Sequence, residues 1–156
     1  MISNENKREI FQKKVRKTIE LIIPWLIFFV CFILSNILEL QYSDSTSLFN
    51  DKLIDVSSIF FGIFVGCLYL FDKFKSNHTY ERFIKFCKSL LYLNIIIITL
   101  SFIIILINNK LPEFLTIHSI IFYPRVLIFS FYIALFAVTL YKITQFSRMI
   151  FIILKR

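Results

Sequence analysis

The chain has 156 residues, 58% of them hydrophobic and 20 of them Phe, with a formal net charge of +8. That apolar share is well above the ordinary level for a soluble domain, and most of the charge lies outside long apolar runs. Both facts argue against a soluble globular protein and for a basic, integral membrane protein.

Residues 1–20 come first, and their stretch ENKREIFQKKVRKTIE sets Phe11, Val15 and Ile19 on one helical face among Lys13, Lys14, Arg16 and Lys17. This reads as a basic amphipathic segment suited to anionic headgroups. The first apolar run, residues 21–40, is LIIPWLIFFVCFILSNILEL. It is too long for a signal-peptide core and no small-residue cleavage site follows, so it is expected to stay as a span. Pro24 sits in its first turns, where a missing N–H is tolerated, and Trp25 beside it suits an interface.

The second run, residues 53–71, is LIDVSSIFFGIFVGCLYLF and holds both glycines of the chain, Gly62 and Gly66. At about 100° per residue, Asp55, Ser58, Ile59, Gly62, Gly66 and Tyr69 fall on one stripe. Glycines four apart open a groove for close helix approach, which in lipid holds helices together. The groove serves either another span of the same chain or a subunit interface that includes Ser58. Asp55, near the outer end, is an interfacial cap, half of a structural ion pair with Arg125 (for which Glu39 is the other candidate partner), or part of an acidic outer mouth of a cation pathway.

The loop FDKFKSNHTYERFIKFCKS follows, carrying Lys73, Lys75, Arg82, Lys85 and Lys88 among aromatic residues. The third run, residues 90–107, is LLYLNIIIITLSFIIILI; its Asn94 and Ser101 are seven apart and share a face. The fourth, residues 119–141, is SIIFYPRVLIFSFYIALFAVTLY, with Arg125 just after Pro124. Residues 142–156 form a basic amphipathic tail that continues the span or bends onto the bilayer. About 20 apolar residues at ~1.5 Å each cross the hydrocarbon core, and only fully hydrogen-bonded helices satisfy the backbone there. The expected fold is therefore all-α, one domain of four transmembrane helices.

Of the 18 basic residues, only Lys52, Lys110 and Arg125 lie on the side of the loops near residues 41–52 and 108–118. The positive-inside rule then places both termini in the cytoplasm. The three cysteines make no metal spacing, and neither disulfides nor a cofactor is expected. There is no HExxH, GxSxG or phosphate-binding glycine loop, so no enzyme chemistry is read. The basic side suits anionic lipid or a soluble cytoplasmic protein partner. Nothing in it spells a nucleic-acid code.

A basic start, four spans, short outer loops and the wording LIDVSSIFFGIFVG at the second span resemble the small four-span bacterial proteins of anti-phage loci, with the Kiwa membrane subunits the nearest case. That resemblance implies a homo-oligomeric inner-membrane sensor or scaffold working with a cytoplasmic partner. From the residues alone, the alternative is a pore-forming effector lined by Asp55, Ser58, Asn94 and Ser101.

Overall fold

The computed structural model describes residues 4–71, 78–117 and 120–154. Four long helices dominate it: α1 (Asn4–Ile37), α2 (Asp44–Phe71), α3 (His78–Ile107) and α4 (Pro124–Leu154). Each supplies a stretch long and apolar enough to cross a bilayer: Thr18–Ile37, Asp44–Tyr69, Phe83–Lys110 (which runs on from α3 through a 3-10 turn at Asn108–Lys110) and Pro124–Phe151. The chain is an all-α, multi-pass membrane protein. A small antiparallel hairpin, β1 (Leu115–Ile117) with β2 (Ile120–Phe122), sits in the last connection, with Leu115 opposite Phe122.

The helix ends differ from those expected from hydropathy, each for a local reason. α1 runs unbroken from Asn4, so the basic N-terminal stretch continues the axis of the first span and does not form a separate surface helix. Its 34 residues extend about 51 Å, far more than the ~30 Å hydrocarbon core. α2 begins at Asp44, nine residues before the apolar run at Leu53, inside what composition marks as a loop. Thr46 explains this start: its hydroxyl accepts from the Ser43 N–H at 2.8 Å, while the Ser43 carbonyl accepts from the Thr46 and Ser47 N–H groups. These bonds satisfy donors that a helix start leaves orphaned. α4 begins at Pro124, five residues later than hydropathy suggests, because proline suits the first helical position and disfavours helix before it. It then runs to Leu154, so the described tail extends the span.

α1 closes with a left-handed turn at Glu39, φ 50°. The Leu40 N–H reaches the Ser35 carbonyl at 3.0 Å and the Glu39 N–H reaches Asn36 at 3.1 Å. This is the paired bonding of a Schellman stop, a position that glycine fills at least cost. The chain has spent neither of its two glycines here.

The helices stack as an open array. Extensive contacts join α1 to α4, α4 to α3 and α3 to α2. α2, α3 and α4 share two cores. At the loop end, Leu53, Ile97, Ile104, Phe129 and Tyr132 pack together. At the end carrying the termini, Phe64 meets Phe146 edge-on at 5.0 Å, and Phe83 stacks on Phe146 at 5.5 Å around Cys87 and Leu90. Among the described residues, α1 leans chiefly on α4. Only 6% of its most apolar stretch is buried, against 39% for α4. Exposed apolar side chains cover the rest, as a helix meeting lipid or another helix requires.

Candidate functional site: a sealed polar seam and an open small-residue face

The buried residues of α3 are Phe83, Cys87, Leu90, Asn94, Ile97, Ser101 and Ile104. Their spacing alternates four and three, the repeat of a knobs-into-holes seam. One half of the repeat is large and apolar; the other half is Cys87, Asn94 and Ser101. α2 answers with Asn50, Leu53, Ser57 and Phe64. The two helices run antiparallel, and Ser101 Oγ donates to Asn50 Oδ1 at 2.7 Å. Stepping seven residues along each helix from that pair brings Ser57 level with Asn94, and seven more bring Phe64 level with Cys87, which share one cluster.

This seam holds most of the polar atoms buried in the described core. Asn94 donates its amide back to the Leu90 carbonyl at 2.9 Å, leaving its Oδ1 without a partner, as is Ser57 Oγ on the same level. A hydroxyl and an amide oxygen are complementary in donor and acceptor capacity. Next to Ser101, the Tyr132 hydroxyl of α4 stands close without a well-formed hydrogen bond, and Asn50 Nδ2 is also unmatched. Ser101, having donated its single proton, retains lone pairs for that phenol.

Asn94 and Ser101 are thus neighbours on one face, and that face is sealed inside the chain's own core, with Asn94 1% and Ser101 0% exposed. Neither side chain is presented to the outside of the helical array. Asn50 was hidden to hydropathy because it lies in the polar stretch DSTSLFND. Its signal is the seam's spacing, which continues backwards from Ser57 through Leu53.

The stripe on α2 behaves in the opposite way. Asp55, Ser58, Ile59, Gly62, Gly66 and Tyr69 are all exposed. A Cβ built on either Gly62 or Gly66 would meet nothing within 4 Å. The groove is therefore not filled by any described part of the same chain. Phe64, on the opposite face of the helix, is completely buried. α2 thus has one face for the bundle and one for something else.

Asp55 meets Lys52 one turn away at 3.4 Å on the surface. Arg125 is not its partner. The guanidinium of Arg125 donates through Nε and Nη2 to the Leu111 carbonyl, at 3.0 and 2.6 Å. The pairing of Arg125 with Asp55 or Glu39 expected from sequence gives way to this link, which ties the connection after α3 to the start of α4. Two of the five guanidinium donors are met by this one carbonyl oxygen, within the connection itself.

Among the basic residues, Lys85 and Lys88 are exposed on α3. Lys73 and Lys75 lie outside the described residues. Lys13, Lys14, Arg16 and Lys17 belong to the helical backbone of α1, and Arg82 to that of α3. Among the described residues, no three His, Cys, Asp or Glu side chains gather in a way that would hold a metal ion.

Comparison with protein-family models, curated proteins and solved structures finds no match.

Proposed function

We propose that the protein is a homo-oligomeric subunit of a bacterial inner membrane, with both termini cytoplasmic, acting as a sensor or scaffold whose basic face engages a soluble cytoplasmic partner. The observation that carries this reading is the vacant outward groove at Gly62 and Gly66, on the helix at the edge of an open array. Helices in lipid gain nothing hydrophobic from meeting, so bare backbone on an outer face is best used for close packing against a second copy. The anti-phage setting follows from the resemblance at LIDVSSIFFGIFVG and belongs to the same proposal. The basic stretches on α1 and α3 are where anionic lipid and the partner would dock, and they carry no nucleic-acid recognition code.

Cysteine crosslinking in membranes tests the interface. With Cys31, Cys67 and Cys87 replaced, a cysteine at Ser58 or Ile59 forms disulfide-linked dimers, while one at exposed Phe102 on α3 does not. Equal crosslinking at all three positions would overturn the interface.

A second reading shares the same stripe. If several copies turn it toward a common centre, Asp55 and Ser58 line the mouth of a pore at the loop end, with Lys52 beside them. In that case Asp55→Asn alters ion flux through reconstituted protein. Flux indistinguishable from wild type removes the pore reading and leaves the scaffold.

A further inference from the structure

A groove with a cavity volume of about 500 Å³ lies between α1 and α4. Pro24 and Phe28 form one wall, Leu135 and Val138 the other, and Glu20 and Lys142 stand at its mouth. Apolar walls with two opposite charges at one end are the shape of an amphiphile, and the placement in the bilayer fits one. Lys142 follows Pro124 by 18 residues, so its Cα stands about 27 Å along α4 from the helix start. That is close to the ~30 Å thickness of the hydrocarbon core, which puts the ammonium at the membrane boundary on the side of the termini. From there the groove runs to Phe28, eight residues beyond Glu20, or about 12 Å. One leaflet is about 15 Å deep. The groove spans most of a single leaflet and opens sideways, because α1 is otherwise uncovered.

Lys142 is partly buried and has no ion-pair partner among the described residues. A half-buried ammonium on an apolar wall is costly without an anion beside it. Glu20, across the mouth, has two carboxylate oxygens able to accept several hydrogen bonds.

We infer that this groove binds a glycerophospholipid with a primary amine in its headgroup, of the phosphatidylethanolamine class. One acyl chain lies between Pro24, Phe28, Leu135 and Val138, the phosphate meets Lys142, and the headgroup ammonium donates to Glu20. A quaternary choline cannot donate that bond, and a glycerol headgroup brings no positive charge to the carboxylate. Charge pattern and depth both favour lipid over a second protein copy, which would bring no phosphate to Lys142.

The test is photolabelling of the full chain in phosphatidylcholine vesicles with phosphatidylethanolamine bearing a photoreactive acyl chain. Label is expected in residues 21–28 and 131–138, displaced by unlabelled phosphatidylethanolamine and poorly by phosphatidylglycerol or phosphatidylcholine. Lys142→Gln and Glu20→Gln each weaken labelling about fivefold, the effect of one charge at a membrane surface. Leu135→Trp fills the groove and abolishes labelling there while leaving both charges, with helical circular dichroism confirming the fold. Label spread evenly over α2 and α3, equal displacement by phosphatidylcholine, or a disulfide between two copies through Trp25→Cys would each overturn the assignment.

Discussion

Ser101 on α3 gives its hydroxyl proton to Asn50 on α2 at 2.7 Å, across 51 residues of sequence and inside the core. The bond fixes which turn of α2 faces which turn of α3. A slip of one turn would leave two buried polar groups facing aliphatic side chains. Ser101→Ala removes the donor and leaves the Asn50 amide with neither end paired, for a loss of about 1 kcal/mol. Asn50→Leu with Ser101→Ala removes both groups and should recover most of that loss. Unfolding midpoints in a denaturing-detergent titration measure both. A double variant less stable than Ser101→Ala alone would contradict the assigned pairing.

Glu39 closes α1 in a left-handed conformation that costs a side chain roughly 1 kcal/mol. Glu39→Gly should therefore stabilise the protein by about 0.5–1 kcal/mol, read in the same titration. A loss of stability would mean that the carboxylate contributes more than the turn costs.

Arg125 holds the Leu111 carbonyl through two of its nitrogens. Arg125→Gln should loosen the connection from Leu111 through β1 and β2 by about 1–3 kcal/mol, the range for charge-assisted bonds. Amide hydrogen exchange at 111–117 should rise, with exchange in the α2–α3 core unchanged. Exchange rising everywhere would show that Arg125 supports the bundle as a whole.

The spans were legible because lipid accepts so few solutions: long apolar runs must be helices. What hydropathy missed lies where polar residues do structural work. DSTSLFND looks like a loop and is the first two turns of α2, capped by Ser43 and Thr46. Asn50 is buried there because Ser101 needs it. The basic arm of α1 has no break residue, so nothing bends it away from the span. Arg125 has a carbonyl partner from the connection preceding α4, which no charge-matching argument proposes. The glycine pair was visible at once, but the face it serves was not. A groove that packs within a chain and one that packs between chains have the same spelling, and only the surroundings of Gly62 and Gly66 distinguish them.

Those surroundings make a further expectation. With nothing within 4 Å of either Cβ position, Gly62→Ile and Gly66→Ile should leave the single chain folded. They should even gain a few tenths of a kcal/mol each in helix propensity. Helical circular dichroism and the thermal midpoint of the detergent-solubilised variant check this. A collapse of either would mean that the face is covered within the chain.

The most direct test of the assembly is the mass of the purified protein in lipid nanodiscs, wild type against the Gly62→Ile/Gly66→Ile variant. The proposed interface predicts a discrete oligomer for wild type and a folded monomer for the variant. A wild-type monomer, or an oligomer unchanged by filling both glycines, would contradict it.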